Sequence, residues 1–155
     1  MNSYKYVSAA VVALLMTSAC MAEVDGQQAG VETASLTVEV SKIRNNDGRV
    51  MLALYDHKEA FNAADEVRAY ASMSSKVVNS HLRVTFENLP ASKYAAIIFH
   101  DENSNGAFDM KRGEPLEGYG VSGALHALDE PTFKKASVLV GDGKQTIAVK
   151  MHYYK

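Results

Sequence analysis

The residues best suited to chemistry lie in one polar segment, from His100 to Ser122. In its first half, side chains with oxygen donors alternate around a single glycine, Gly106. Such alternation around a glycine that allows a sharp bend is typical of a calcium-binding loop. Because few of the side chains are charged, we predict a weak site, with a dissociation constant of roughly 10⁻⁴ to 10⁻³ M. The candidate ligands are Asp101, Asn103, Asn105, the carbonyl of Ala107, Asp109, Glu114 and Glu117.

The segment does not have the full pattern of an EF-hand. Counted from Asp101, the twelfth position is Arg112, where an EF-hand requires a bidentate glutamate. Glu114 or Glu117 would have to complete the coordination. A second interpretation needs no metal, because Asn and Asp side chains can accept hydrogen bonds from neighbouring amides and hold the loop as a series of capped turns. The sequence leaves both interpretations open.

The same segment suggests two further functions. His100 with Asp101 or Glu117 could supply acid or base catalysis, which would make the protein a hydrolase. Tyr119 lies between two glycines, and an aromatic side chain on a flexible loop offers a large contact area with a polar tip. We predict Tyr119 as the contact for a protein or glycan partner. The leading interpretation is a non-enzymatic binding module, with a hydrolase or a purely structural domain as alternatives.

The N-terminus has the features of an export signal. Lys5 precedes the apolar run Val7–Met16, which is too short to span a bilayer and is followed by small residues. Cys20 is the single cysteine, and its position resembles a bacterial lipoprotein processing site at which it would be lipidated. The alternative is ordinary cleavage after Ala22. We expect the protein in the periplasm, on the outer membrane as a lipoprotein, or secreted, with membrane contact only through a lipid on Cys20.

Length and charge limit the organisation and the partners. The chain has 155 residues, enough for one buried core, and a net charge of −2 spread without runs, so nothing indicates a nucleic-acid partner. Residues 1–22 are assigned to the signal peptide. Residues 23–34 are small and polar and are predicted to be a flexible tether. Residues 35–155 are predicted to form a single domain.

Apolar periodicity predicts the strands that position the polar segment. Leu36, Val38 and Val40 alternate with polar residues, which predicts a strand with one buried face. The turn residues at 45–48 predict a hairpin to a partner strand, Val50–Tyr55, because Asn, Asp and Gly tolerate the positive φ of tight turns.

The remaining elements complete an all-β fold. Tyr94–Phe99 is a near-continuous apolar run, as expected of a central strand covered on both faces, and it leads directly into the polar segment. About six or seven strands with one short helix after the second strand predict an antiparallel β-sandwich. The other predicted elements are the helix Lys58–Ala64 with Phe61 facing inward, an edge strand Ala69–Val78, a strand Leu82–Phe86, a helical turn at 131–135 and a final hairpin of Ser137–Val140 with Gln145–His152.

A set of residues from Leu89 to Ala136 forms a longer motif. It consists of Leu89, Pro90, Tyr94, His100, Asp101, Glu102, Asn103, Asn105, Gly106, Asp109, Gly113, Pro115, Glu117, Gly118, Tyr119, Gly120, Ser122, Pro131, Phe133 and Ala136. In this motif the chain resembles a bacterial exported family, the domain of unknown function 2141, from about Leu36 to Tyr153. Ser92 and Ser104 stand where that family commonly has glycine, and Glu114 stands where it is often apolar.

The resemblance implies a fold and favours one class of function over another. It implies a β-sandwich similar to transthyretin-like and carboxypeptidase-regulatory modules, in a family with no established activity. It therefore favours a binding or accessory module over an enzyme. A shared fold does not by itself give a function.

Overall fold

The alternating apolar residues form strands in two β-sheets, as a computed structural model shows. The structure describes residues 33–123 and 131–154. The signal peptide, both processing positions, Cys20 and Ala22, and most of the tether lie outside these residues. The strands are β1 Thr33–Ser41, β2 Arg49–Tyr55, β3 Ala71–Ser75, β4 Leu82–Pro90, β5 Ser92–Asp101, β6 Met110–Lys111, β7 Glu114–Pro115, β8 Gly118–Val121, β9 Val138–Val140 and β10 Gly143–Lys150; the α-helices are α1 Lys58–Asn62 and α2 Phe133–Ala136.

The two sheets have different strand directions. The first sheet has the order β10-β1-β4, in which β1 pairs parallel with β10 and antiparallel with β4. The second sheet has the order β3-β2-β5-β8, all antiparallel, and β9 pairs with the first residues of β5. The all-β, sandwich-like fold class is thus confirmed, with one parallel pair that the sequence did not predict. Strands β6 and β7 form a separate two-stranded hairpin.

The main hydrophobic core lies between the two sheets. Leu36, Val38 and Val40 of β1 are fully buried in one cluster with Leu52 of β2 and Ile98 of β5. The alternation in the sequence therefore identified the buried face of these strands correctly. Burying such side chains contributes about 1.5 to 3 kcal/mol each, which makes this cluster the main source of stability.

The predicted hairpin between the first two strands is wrong. Gly48 has the positive φ that was expected, +60°, but β1 and β2 belong to different sheets. Residues 42–48 connect one sheet to the other, so both strands bury their apolar faces in the same core from opposite sides. The final hairpin is wrong for the same reason, since β9 pairs with β5 whereas β10 pairs with β1.

Several boundaries also differ from the prediction. The first strand begins at Thr33, and Ala34 is buried in the core, so the predicted tether ends earlier than residue 34. Helix α1 ends at Asn62 instead of Ala64, with Phe61 buried as predicted. The edge strand is confirmed as β3, and the helical turn after Pro131 is confirmed as α2.

A second, smaller apolar cluster covers the outer face of the second sheet. Tyr55 and Ala95 point away from the main core and pack with Phe61 of α1 and Ala136 of α2. The ring of Phe61 makes edge contacts with Tyr55 at 5.7 Å and with Phe133 at 5.8 Å between centroids. Among the residues that the structure describes, the two helices cover only part of this face, and Gly106 and Phe108 of the polar segment border the remaining part.

Candidate functional site

Asp101 anchors the polar loop that follows β5. It is the last residue of that strand and is 2% exposed. Its Oδ1 accepts a hydrogen bond from the Asn105 amide at 3.0 Å, and its Oδ2 accepts one from the Gly106 amide at 2.9 Å. Gly106 has a φ of +77°, so it makes the sharp bend that its position predicted. One carboxylate therefore closes the turn.

The asparagines continue the same arrangement. Asn103 Oδ1 accepts from the Asn105 amide at 3.0 Å, and Asn105 Oδ1 accepts from the Ala107 amide at 2.8 Å. Their side-chain amides donate to Asp109, from Asn103 at 2.7 Å and from Asn105 at 3.1 Å. Ser104 has a φ of +58°, in the left-handed region that favours glycine. The loop thus has the hydrogen bonds of the capped-turn interpretation.

Glu117 ties the two ends of the loop together. It is 3% exposed, and its Oε1 accepts from the Glu102 amide at 3.0 Å while its Oε2 accepts from the Asp109 amide at 3.1 Å. Glu114, also predicted as a ligand, lies in β7 opposite Lys111 and is exposed. The fold therefore brings Glu117 to the loop, whereas Glu114 makes no hydrogen bond with it.

Metal coordination requires several ligands at one point. In residues 33–123 and 131–154, no three His, Cys, Asp or Glu side chains are grouped in a way that could hold a metal ion. A loop site would therefore depend on Asn and backbone oxygens beside Asp101 and Asp109. Both oxygens of Asp101 and Oδ1 of Asp109 accept one hydrogen bond each and retain a lone pair for a hard cation, whereas Oδ2 of Asp109 accepts two side-chain amides. Calcium binding stays a prediction.

His100, the predicted hydrolase residue, is fully buried. Its Nε2 lies 2.7 Å from the Asp47 carbonyl, which can only accept, so this nitrogen carries the proton. Its Nδ1 lies 2.9 Å from the Tyr153 hydroxyl. Both nitrogens are therefore engaged with protein groups, and the oxygens of Asp101 and Glu117 accept amides. As placed, each of these three side chains makes two hydrogen bonds within the protein, and the hydrolase alternative stays a prediction.

A charged pair lies at the edge of this network. Arg44 forms a two-pronged ion pair with Glu102 and stacks over the Tyr153 ring at 4.6 Å. The side-chain amide of Asn45 donates to the same carboxylate at 2.6 Å. The hydrogen bond from Arg44 lowers the pKa of Glu102, against the opposing effect of burial.

Glu102 should therefore stabilise the fold in a pH-dependent way. Its pKa in the folded state lies below the ordinary 4.5, so its contribution is complete above pH 4.5 and is lost as the pH falls through the lowered pKa. Compared with wild type, Glu102→Gln should lose at most about 1 kcal/mol near neutral pH, because Arg44 is partly exposed. Urea unfolding at a series of pH values measures the difference in unfolding free energy between wild type and Glu102→Gln. This difference should disappear as the pH falls below 4.5. A difference that is constant with pH would contradict the charge pairing.

Tyr119 is positioned differently from the prediction. It lies in β8, paired with Phe99 of β5, and is partly buried instead of standing on a flexible loop. A strand forms here because Gly118 and Gly120 allow close packing: a Cβ on Gly118 would lie 2.2 Å from the Tyr153 ring. The glycine-rich run that suggested flexibility is thus a tightly packed strand.

The sequence did not predict the aromatic cluster around Tyr119. The ring of Phe108, carried by the polar loop, lies 5.7 Å from Phe99 and 6.3 Å from Tyr119 between centroids. These rings form one wall of a cavity of about 440 Å³, the aromatic pocket, on the outer face of the second sheet. Phe61 and Tyr55 also line this cavity. A large aromatic residue in a mostly polar loop, Phe108, was the signal that the sequence offered.

The fold and this site together define a class of protein. The class is an all-β sandwich in which a self-capped acidic loop borders an aromatic pocket. A family model described as "Uncharacterized protein conserved in bacteria (DUF2141)" matches residues 38–148, and the chain belongs to this family. The resemblance inferred from the motif residues is thereby confirmed.

Other comparisons add little. No curated protein matches the chain. Two solved structures of the pilus-presented adhesin Spy0125 (Cpa) are similar, one a mutant at 10% identity and one a second crystal form at 13% identity, each with a TM-score of 0.26. The matches cover 78% and 79% of this chain but 27% and 28% of the adhesin chains. The chain thus spans about a quarter of that adhesin.

The two α-helices are short, with five residues in α1 and four in α2. No helix within residues 33–123 and 131–154 combines the length and the hydropathy needed to cross a bilayer.

Proposed function

We propose that this chain is a non-enzymatic, exported binding module that recognises its partner through the aromatic pocket. The position of Phe108 carries the proposal, because the capped loop holds this ring against Phe99 and Tyr119. A polar loop thereby supplies a wall of an apolar cavity. At about 440 Å³ the cavity lies within the range of ligand sites, which are mostly apolar with few polar groups.

The proposed partner is a protein or a glycan that inserts one group into the pocket. Export through residues 1–22, with a lipid on Cys20 or cleavage after Ala22, would bring the module to the periplasm, the outer membrane or the exterior. The burial of His100 and the engagement of both its nitrogens support a binding role over a hydrolase.

A photo-crosslinking experiment tests the pocket. One variant of the full chain carries benzoylphenylalanine in place of Phe108. A matched control carries it in place of Leu139, which is an exposed apolar residue on β9 outside the pocket lining. Illumination of bacteria that produce each variant should give a defined adduct from position 108 alone. Mass spectrometry then identifies the adduct as protein or glycan. Identical adducts from both positions, or none from position 108, would contradict the proposal.

Calcium is proposed as a weak ligand that stiffens the loop. The support is the grouping of Asp101, Asn103, Asn105 and Asp109 around one bend, with carboxylate lone pairs remaining. A bound ion would hold the loop in the conformation that positions Phe108.

Thermal unfolding measures this effect. Calcium at about 10 mM, roughly 10 to 100 times the predicted dissociation constant, should raise the unfolding temperature of the full chain relative to EDTA or magnesium and add about 1.4 to 2.7 kcal/mol to the free energy of unfolding. Asp109→Asn should remove most of the calcium-dependent rise in unfolding temperature. Glu39→Gln, a control on the other sheet, should show the same rise as wild type. Equal unfolding temperatures of wild type in EDTA and calcium would overturn the proposal and leave a self-capped loop.

A further inference from the structure

The aromatic pocket contains a polar group with no protein partner. Tyr55 is 2% exposed and lines the pocket, and its hydroxyl makes no hydrogen bond to any residue of 33–123 or 131–154. Within the same residues, no buried side-chain oxygen or nitrogen lacks a partner. The hydroxyl must therefore reach solvent, and the pocket is the opening that Tyr55 lines. A tyrosine so deeply buried usually finds a partner for its hydroxyl.

A carboxylate without a counter-charge lies near this hydroxyl. Glu66 lines the pocket and is exposed, and its carboxylate forms no hydrogen bond or ion pair with the described residues. Its neighbour Asp65 is neutralised by Arg68 at 2.6 Å. Burial raises the pKa of Tyr55, and the charges of Glu66 and Asp65 raise it further, so both carboxylates are close enough to act on the hydroxyl. Because Asp65 is paired with Arg68, Glu66 supplies the negative charge without a counter-charge beside the Tyr55 hydroxyl.

We propose that the pocket binds a protein segment in which an apolar side chain stands next to a lysine. The apolar side chain packs against Phe99 and Phe108, and the lysine ammonium reaches Glu66 and the Tyr55 hydroxyl. This inference rests on the proposed function and specifies its partner. An ammonium supplies the donors that a carboxylate and an unpartnered hydroxyl accept, and its carbon stem covers apolar surface.

The lining disfavours a glycan. Among the lining residues that the structure describes, the polar side chains besides Glu66 are those of Tyr55, Tyr119 and Asn62. The Asn62 oxygen already accepts from the Phe133 amide at 3.1 Å. A sugar would bury several hydroxyls against this surface with few partners, and each unpaired one costs free energy. An apolar side chain with one charged neighbour matches the lining better.

Peptide titration followed by NMR tests this assignment. The full chain carries methyl-labelled methionine, and Met51 in the pocket lining reports binding while the exposed Met110 on β6 serves as the internal control. The probes are acetyl-Phe-Lys-amide, acetyl-Phe-Glu-amide and the disaccharide of N-acetylglucosamine. Both dipeptides should move the Met51 signal but leave Met110 in place, and the lysine peptide should bind about two- to fivefold more tightly, the preference expected from one exposed ion pair.

Two variants assign the preference to named groups. Glu66→Gln, at an exposed position, should make the two dipeptides bind equally. Tyr55→Phe keeps the ring and should weaken the lysine peptide about two- to tenfold, the range expected for one lost hydrogen bond.

The outcomes separate this inference from the proposed function. Equal affinity of both dipeptides for wild type would overturn the lysine assignment while the pocket remains a binding site. Tighter binding of the disaccharide than of either peptide would assign the pocket to a glycan and overturn the protein partner. If no probe moves the Met51 signal, both the inference and the pocket as recognition surface fail.

Discussion

Gly48→Ala should destabilise the protein by about 2 to 5 kcal/mol, because a steric clash adds to the cost of a left-handed backbone conformation. A Cβ at this position would lie 1.9 Å from the Asp101 carbonyl oxygen and 2.7 Å from the Cα of Glu102. These are backbone atoms of β5 and of the loop, so no side chain can rotate to relieve the clash. The φ of +60° adds a further cost of about 1 to 2 kcal/mol for any residue with a Cβ. Equilibrium unfolding in urea gives the difference.

Gly106→Ala is the matched control for this prediction. Gly106 also has a positive φ, +77°, but no atom lies within 4 Å of the position that a Cβ would take there, so only the conformational cost applies. It should therefore lose about 1 to 2 kcal/mol. If both variants lost the same free energy, close contact between the turn at Gly48 and the start of the acidic loop would be ruled out.

Glu117→Ala should cost about 2 to 4 kcal/mol. The change removes the acceptor of two amides, those of Glu102 and Asp109, and each buried donor left without a partner costs about 1 to 3 kcal/mol. Opening of the loop allows water to reach these amides and limits the loss. Urea unfolding measures the free energy, and hydrogen exchange should show faster exchange at both amides.

Glu114→Ala provides the comparison on the same stretch of chain. Glu114 is exposed, so its removal should change stability by no more than about 0.5 kcal/mol and leave the two amides protected. Glu117→Gln retains one carbonyl oxygen and should fall between the two alanine variants. A loss for Glu114→Ala as large as that for Glu117→Ala would contradict the distinct roles of these carboxylates.

The sequence predicted which side chains are buried better than it predicted which strands pair. Leu36, Val38 and Val40 were assigned to the core because a period of two identifies one face of a strand. Strands in both sheets of a sandwich alternate with the same period of two. The period therefore does not show whether two consecutive strands form a hairpin or belong to different sheets. The positive φ of Gly48 was likewise correct, since a tight bend between sheets needs it as much as a hairpin does.

The acidic loop was predictable because its contacts are local. Asp101, Asn103 and Asn105 cap amides two to five residues away, so their spacing alone gives the turns. The role of Glu117 was predicted only in part: it joins the loop, as a hydrogen-bond acceptor for two amides. Because Glu117 lies far from Asp101 in the sequence, spacing alone does not predict that it accepts hydrogen bonds from the Glu102 and Asp109 amides.

The aromatic pocket could not be predicted because it depends on long-range register. Phe99 and Tyr119 become neighbours through the pairing of β5 with β8, and Phe108 joins them only after the loop has closed. Tyr55 and Glu66 reach the same cavity from other elements. None of these contacts can be recognised from the spacing of residues in the sequence. The residues that we propose for recognition were therefore absent from the predicted site residues, except Tyr119.

The parallel pairing of β1 with β10 has a consequence for the order of folding. The register runs from Ala34 with Gly143 to Ser41 with Lys150, so β1, the central strand of the first sheet, pairs with residues that are synthesised 109 positions after it. Contacts that join such distant parts of a chain form slowly. Until the ribosome has released residues 143–150, β1 lacks one of the two strands that flank it in its sheet. The apolar side chains of β1 are therefore open to contacts with other molecules while the ribosome synthesises the residues between β1 and β10.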